Sequence, residues 1–341
     1  MRALLLRNNL ALGDNVVLTA AVRDLVRACP GELAFDVRCP SPDVWLNNPH
    51  LTPMLEQDPG IEEIEVECPM VDLSNDLPRH FLEGFGDFLG RHLGRGFELS
   101  EFRGDIHLTR CEREHPGRIA QLLRSDTPYW LIATGGKMDL TIKWWSYRRY
   151  QEVVDIFRDR ILFVQVGEDT PHHYHPPLRG ALDLRGRTSA RDLVHLMYHA
   201  EGVLCGVTAL MHLAAAVPVR PDRPSPRPCV VVAGGREPVH WEAYPGHQYL
   251  HTVGALPCCA AGGCWRSRTF PLGDGTRDDD GEQICVNVVH DLPRCMDLIT
   301  AEDVARAVER YFDGEQTVAL TAAQAARARP LLRKEVPQRY A

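Results

Sequence analysis

Five cysteines lie close together in the last third of the sequence. They are Cys258, Cys259, Cys264, Cys285 and Cys295, out of eleven in the whole chain. The N-terminus lacks the apolar core and cleavage site of a signal peptide, so we expect reduced thiols rather than disulfides. Thiolates bind tetrahedral zinc or iron equally well. Because adjacent residues seldom both reach one ion, we predict one metal held by Cys264, Cys285, Cys295 and one of the adjacent pair, preferably Cys259.

The role predicted for this metal is structural. The surrounding segment is polar, so metal binding would supply folding energy that burial cannot, bracing the C-terminal helices away from the reacting atoms. The spacing matches no standard zinc ribbon, and a redox-active or incidental cluster is the alternative. The histidines at 172–175 are expected in a surface loop, with a second metal site as the alternative. The remaining cysteines are interpreted as small core residues: Cys29, Cys39, Cys68, Cys111, Cys205 and Cys229.

Asp14 is the candidate catalytic carboxylate. Gly13 permits a tight turn after the first predicted strand, and Asp14 stands where a helix N-cap belongs. In open α/β sheets this turn faces the ligand crevice. No GxGxxG follows the strand, so a dehydrogenase-type dinucleotide site is not supported. Simple capping by Asp14 is the alternative.

Three further stretches follow predicted strands and could hold an anion or a nucleotide. Glycine amides, lysines and a helix N-terminus are typical phosphate ligands. Solvated loop lysines and a core histidine are the alternatives. The candidate residues are Thr134, Gly135, Gly136, Lys137 and Lys143 in the first stretch, Thr208, Ala209 and His212 in the second, and Gly234, Gly235 and Arg236 in the third.

Apolar runs that alternate with helical patterns predict an α/β protein with parallel sheets. The predicted strands are 3–6, 33–38, 61–66, 106–108, one in the stretch 127–136, 161–167, 202–207 and 227–235. The predicted helices are 16–28, 79–93, one ending at 123, 150–157, 190–199, 210–216, 301–312 and 322–332. The pattern restarts near residue 126, which predicts two domains, 1–125 and 126–341, with the cysteine-rich segment at 256–296.

Composition narrows the function classes. The chain has 341 residues, 44% of them hydrophobic, and a formal net charge of −8. That charge argues against nucleic-acid binding, which needs a surplus of basic residues. No apolar run is long enough to span a membrane. We therefore expect a cytoplasmic globular protein.

The motifs together resemble glycosyltransferase family 9, the heptosyltransferases. The resemblance rests on Gly13-Asp14, Lys143 in "KWW", "TALMHLAAA" and the glycine pair before "EPVHWEAYP". The cysteine-bearing tail is similar to the branch that includes the autotransporter heptosyltransferases, which carry cysteine-bound iron. Where the lipopolysaccharide enzymes have Asp-Ser/Thr-Gly, this chain has Val207-Thr208-Ala209.

The resemblance implies a GT-B fold, in which two Rossmann-like domains face each other across a cleft, and an inverting transfer of heptose from an ADP-activated donor. It implies that Asp14 is the base, that Lys143 binds the donor diphosphate, and that Thr208 and His212 lie at the nucleotide. It favours iron over zinc and implies no catalytic divalent cation. The acceptor (saccharide, protein or small metabolite) stays open, as does a homo-oligomer. A GT-B sugar-nucleotide epimerase and a non-catalytic nucleotide-sugar-binding module are the alternatives.

Overall fold

The computed structural model describes residues 1–67 and 71–313. The strands are β1 (Arg2–Arg7), β2 (Leu33–Arg38), β3 (Ile61–Glu65), β4 (Tyr129–Ile132), β5 (Gly136–Lys137), β6 (Leu162–Gln165), β7 (His173–Tyr174), β8 (Leu182–Asp183), β9 (Gly202–Gly206), β10 (Cys229–Gly234), β11 (His247–His251), β12 (Val288–Val289) and β13 (Leu292–Pro293). The helices are α1 (Leu12–Ala28), α2 (Phe81–His92), α3 (Arg110–Glu114), α4 (Arg118–Leu123), α5 (Tyr147–Phe157), α6 (Ala190–His199), α7 (Ala209–Ala216), α8 (Val239–Glu242), α9 (Arg294–Asp297) and α10 (Ala301–Phe312). Cys68 and the predicted helix 322–332 lie outside the described residues.

Two parallel sheets organise the described chain. In the first sheet, β1 lies between β2 and β3. The second sheet has six strands in the order β11-β10-β9-β4-β6-β8. Its central strands are buried along their whole length, as β9 and β10 show. Continuous apolar strands of this kind are typical of parallel sheets that are covered on both faces. The α/β class predicted from the sequence is confirmed.

The two sheets share one interior. Helix α1 of the first half packs against α7 of the second, and the largest cluster of buried apolar side chains includes both Leu4 of β1 and Val203 of β9. Gly13 permits the close approach, because a Cβ at this position would lie 3.0 Å from Cδ2 of His212. The base of the cleft between the two halves is therefore formed by this helix pair.

Three predictions about the elements are wrong. Residues 106–108 are not a strand, although Ile106 and Leu108 are buried. The segment from there to residue 123 contains two short helices, α3 and α4, rather than one. The second sheet does not end at β10, since β11 pairs with it in parallel. Strand β11 has the polar sequence HQYLH, so it lacks the apolar run that revealed its neighbours.

The cysteines outside the cluster differ among themselves. Cys29, Cys205 and Cys229 are buried as predicted, Cys39 is partly buried, and Cys111 is exposed, so the prediction of a core role is wrong for Cys111. In the described part of the chain every cysteine is free of a disulfide. Among the helices of the described residues, none combines the length and apolar character needed to cross a membrane.

Candidate functional site

A cleft of about 810 Å³ is lined by residues of both halves. It collects most of the residues predicted to bind donor or acceptor. The predicted residues that line it are Asp14, Gly135, Gly136, Lys137, Lys143, Thr208, Ala209, His212 and Arg236. These positions are far apart in the sequence, so the fold brings the candidate base and the candidate donor ligands to one cavity.

Asp14 lies in the first turn of α1, on the first-half side of the cleft. It is not the N-cap as expected, because α1 begins at Leu12 and its N-cap is Ala11, which offers no side-chain hydrogen bond. Burial raises the pKa of the Asp14 carboxyl, while the charge of Lys143 and backbone hydrogen bonds act in the opposite direction. A carboxylate with a raised pKa that opens onto a cavity is suited to accept a proton.

Lys143 lies in the cleft but is not a free cation. Its Nζ atom lies 2.5 Å from Oε1 of Glu237, which also binds the Arg236 guanidinium. Glu237 is 3% exposed. Burial alone would raise the pKa of Glu237, but the charges of Lys143 and Arg236 hold it below its usual value. One buried carboxylate therefore orients the two cations closest to it.

Glu242 is a second buried carboxylate of the cleft. Burial, with a contribution from the Glu237 charge, raises the pKa of Glu242 to about 8. Its Oε2 atom lies 3.3 Å from Nε2 of His212 without the alignment of a hydrogen bond. The other ring nitrogen of His212 lies 2.8 Å from the Tyr244 hydroxyl. Burial places the pKa of His212 well below its usual value, so this imidazole is neutral.

Sequence reasoning missed both Glu237 and Glu242. They follow the glycine pair at the end of β10, in a stretch where only Gly234, Gly235 and Arg236 were given a role. The available signal was the position, because carboxylates just beyond the carboxyl end of a central parallel strand face the ligand crevice.

Several buried polar atoms of the cleft lining make no hydrogen bond within the described residues. Buried groups of this kind are normally satisfied by protein, water or ligand. They are Glu237 Oε2, Glu242 Oε2, Trp144 Nε1, His175 Nδ1 and Trp265 Nε1. Both acceptors and donors are thus available to a polar ligand in the cleft.

Three predicted donor residues lie outside the cleft. Thr134 is buried, and its hydroxyl donates to the Pro176 carbonyl at 3.0 Å. Gly234 and Gly235 approach the cysteine region instead of a nucleotide. A Cβ on Gly234 would lie 2.9 Å from Sδ of Met296, and one on Gly235 would lie 3.1 Å from Sγ of Cys259.

Thr208 and His212, the two residues predicted near the start of α7, both form hydrogen bonds within the protein. Thr208 is the N-cap of α7, where its hydroxyl accepts a hydrogen bond from the Leu210 amide. His212 combines both of its predicted alternatives, since it is a hydrogen-bonded interior histidine that also lines the cleft.

The histidines at 172–175 are not a plain surface loop. His173 and Tyr174 form β7, which pairs with β5. His173 and His175 line the cleft.

The five clustered cysteines surround one small cavity. It has a volume of about 10 Å³, close to that of one water-sized sphere. Burial first, and then the neighbouring thiols, raise the pKa values of four of them: Cys258, Cys264, Cys285 and Cys295. No three of the sulfur atoms in the described residues lie within 4.8 Å of one another. The thiols have the chemistry of a metal-binding donor set, but they are farther apart than the ligands of a formed tetrahedral site.

The arrangement favours Cys258 over Cys259 as the fourth ligand, opposite to the expectation from the sequence. The Cys259 thiol is 2% exposed and donates to the carbonyls of Thr252 and Leu256, at 3.5 Å each. Cys258 interacts electrostatically with Cys264, Cys285 and Cys295. Cys259 instead helps to hold the turn in which Cys258 lies.

The cysteine segment also reaches the cleft, a contact that the predicted structural role did not include. The amide of Cys264 donates to the Gly235 carbonyl at 3.3 Å, and that of Trp265 donates to the Arg236 carbonyl at 3.0 Å. Trp265 has a φ of 54°, and the Arg236 guanidinium lies 5.0 Å from its ring centroid. Since Trp265 lines the cleft, the segment forms part of its wall.

Part of the chain matches a known protein family. The model of glycosyltransferase family 9 (heptosyltransferase) matches residues 88–221. No curated protein sequence matches the chain significantly.

Solved structures share the fold. The iron-containing dodecameric glycosyltransferase TibC of enterotoxigenic E. coli is 17% identical, with a TM-score of 0.58, over 92% of this chain and 77% of its own. TibC in complex with ADP-D-β-D-heptose is 16% identical, with a TM-score of 0.61, and the match again covers 92% of this chain and 77% of TibC. A family 9 glycosyl transferase of Veillonella parvula is 13% identical, with a TM-score of 0.61, over 92% of this chain and 97% of its own.

Proposed function

We propose that this chain is an inverting heptosyltransferase of GT-B architecture, which is supported by the match of residues 88–221 to the model of glycosyltransferase family 9 and by the shared fold. It transfers heptose from an ADP-activated donor to an acceptor hydroxyl. The proposed domains are residues 1–125, which bind the acceptor, and 126–341, which bind the donor. One observation carries the proposal: Asp14 and the Lys143–Glu237–Arg236 group, which come from different halves, line the same cleft.

The proposed reaction begins with the acceptor hydroxyl beside Asp14. The carboxylate accepts the hydroxyl proton while the oxygen forms a bond to the anomeric carbon of the heptose. The bond from that carbon to the diphosphate oxygen breaks, and its electron pair leaves with ADP. Attack on the face opposite the leaving group inverts the anomeric centre.

The second half is proposed to hold the leaving diphosphate. Lys143 and Arg236 are fixed by Glu237 before a ligand arrives, and fixed charges stabilise a developing charge without reorganisation. The amides of Gly135 and Gly136 and the start of α7 add donors at the same cavity. We therefore expect no catalytic divalent cation.

We further propose one structural metal ion, with iron favoured, bound by Cys258, Cys264, Cys285 and Cys295. The ion would cross-link the segment that carries Trp265 to α9, which carries Cys295. It takes no part in the transfer step. TibC is described as iron-containing and dodecameric, which supports a metal and a homo-oligomer in this chain as well; light scattering of the purified protein tests the latter.

The experiment is an ADP-release assay with ADP-D-β-D-heptose and a panel of saccharide, protein and small-metabolite acceptors. We expect ADP to form only when an acceptor is present, and NMR of the product to show an inverted anomeric centre. Conversion of the nucleotide sugar without any acceptor would instead indicate an epimerase. Binding of ADP without turnover on any acceptor would leave only a binding module.

A further inference from the structure

Two histidines and one aspartate converge at a second place, in the first half of the molecule and outside the residues that line the cleft. The ligand atoms of His50, Asp105 and His107 lie within 4.8 Å of one another, and no other group of three such atoms in the described residues is this compact. Asp105 is 6% exposed at its side chain, His50 15% and His107 29%. None of these residues has a role in the proposed transfer.

Both histidine rings direct their Nε2 atom toward the same oxygen of Asp105. Nε2 of His107 lies 2.8 Å from Oδ2 of Asp105, and Nε2 of His50 lies 3.6 Å from the same oxygen. The second distance is too long for a hydrogen bond. In a tetrahedral site with bonds of about 2.0–2.1 Å, neighbouring ligand atoms are ~3.3 Å apart. The observed distances bracket that value.

The backbone around the three side chains is already fixed. The Asp105 amide donates to Oγ1 of Thr19 on α1 at 2.7 Å. The Asn48 side chain joins the two segments, because it donates to the Asp105 carbonyl at 3.4 Å and accepts from the His50 amide at 2.9 Å. Binding an ion here would require only small side-chain movements.

His107, the third of these residues, is held in place by a residue from the second half of the molecule. The carbonyl of His107 accepts a hydrogen bond of 2.9 Å from Arg191 on α6. The backbone of all three residues is therefore anchored by neighbours that are not themselves ligands.

Nearby positive charges are compensated. Arg23 forms an ion pair of 2.7 Å with Asp24, and Arg27 forms one of 2.8 Å with Glu101. The charge of Asp105 is thus available to a cation.

We propose that His50, Asp105 and His107 bind a divalent transition-metal ion of the zinc type, separate from the cysteine site. Two imidazoles and one carboxylate are a donor set for such ions, with the remaining coordination position open to water. The ion would tie residues 48–51 to residues 104–107 and so stabilise the first half.

The test is zinc binding to the full-length protein after metal removal with a chelator. Elemental analysis gives the stoichiometry, isothermal titration gives the affinity, and zinc X-ray absorption distinguishes nitrogen and oxygen ligands from sulfur. We expect the unmodified chain to bind one more equivalent of zinc, on nitrogen and oxygen, than His50→Gln or His107→Gln. Affinity at this site should fall by at least the roughly 10- to 100-fold that loss of an outer-shell partner already costs.

His92→Gln is the matched control, because His92 pairs with Glu62 at 2.8 Å at an exposed position of the same half. This control should bind zinc as the unmodified chain does. If His107→Gln fails to fold, His50→Gln still decides the matter, since the His50 ring lies beyond hydrogen-bonding distance of Asp105. Equal nitrogen- and oxygen-bound zinc in His50→Gln and the unmodified chain overturns the proposal, as does adventitious millimolar binding alone.

Discussion

The two walls of the cleft differ in positive charge, although both carry carboxylates, which on the second wall are Glu168, Glu237 and Glu242. All lysine and arginine side chains that line the described cleft, namely Lys137, Lys143 and Arg236, come from the second half. The first half contributes two carboxylates, Asp14 and Asp43, together with apolar side chains such as Val71 and Phe81. Positive charge that could hold a leaving diphosphate is therefore on one wall, and the candidate base is on the other.

This difference predicts which measured quantity each wall controls. Substitutions on the first wall should change turnover with little change in nucleotide affinity. Substitutions on the second wall should change nucleotide affinity first. The predictions below test that division, from the largest expected effect to the smallest.

Asp14→Asn should lower turnover by roughly 10²–10⁴-fold, the usual contribution of a general base, while the dissociation constant for ADP stays nearly unchanged. Steady-state kinetics and calorimetric titration measure the two quantities. Because burial raises the pKa of Asp14, turnover of the unmodified chain should increase with pH as this carboxyl loses its proton. The variant should lack that increase.

Asp43→Asn is the matched control, since Asp43 lines the same wall and has no role in the proposed proton transfer. A fall in turnover as large as that of Asp14→Asn would show that any loss of charge on this wall is harmful. Near-normal turnover of folded Asp14→Asn would remove Asp14 as the base.

Lys143→Ala should weaken ADP binding by roughly 10- to 150-fold, because a charge-assisted hydrogen bond contributes about 1.5–3 kcal/mol. Titration with ADP measures the change. Lys137→Ala is the control in the same wall: its Nζ atom lies 3.8 Å from Asp139 and its side chain is 43% exposed. An equal loss in both variants would mean that general positive charge, and not the fixed position of Lys143, holds the nucleotide.

Cys258→Ser and Cys259→Ser form a pair that tests the metal site. Cys258→Ser should lose the metal, whereas Cys259→Ser should keep it, because the Cys259 thiol is directed at two carbonyls. Elemental analysis of protein purified without metal-affinity columns gives the answer. Folded, metal-free Cys258→Ser should bind ADP more weakly, since Trp265 follows Cys264 directly and lines the cleft. Metal retained by Cys258→Ser and lost by Cys259→Ser would restore the assignment made from the sequence.

Glu242→Gln should make stability less dependent on pH. The pKa of Glu242 is about 8 in the folded protein and about 4.3 in an unfolded chain. Between these values the unfolded state releases this proton first, so the group lowers stability as the pH rises from about 4 to 8. Between pH 5 and pH 8, the melting temperature should decrease less for the variant than for the unmodified chain. An unchanged decrease would assign it to another carboxyl whose pKa burial raises, such as Asp14.

The sequence predicted the elements whose burial leaves a clear pattern. Strands β9 and β10 are continuous apolar runs, and α10 was predicted with its observed boundaries, residues 301–312. Strand β11 has no such run. Ile106 and Leu108 have apolar side chains but no strand partner, and their neighbours Asp105 and His107 are held by Thr19 and Arg191.

The candidate site was also predictable only in part. Position after a strand identified Asp14 and Lys143, which the fold brings into one cleft. It did not show that Gly235 faces the cysteines, or that Glu237 holds Lys143 and Arg236. Those contacts depend on the path of the chain after β10, where turns and a polar segment replace periodic structure.

The central claim, that the two walls divide donor holding from acceptor activation, is tested most directly by titrating ADP into Asp14→Asn and Lys143→Ala side by side. The account predicts a dissociation constant close to that of the unmodified chain for Asp14→Asn and one roughly 10- to 150-fold higher for Lys143→Ala. Weakened ADP binding in Asp14→Asn together with unchanged binding in Lys143→Ala would contradict it.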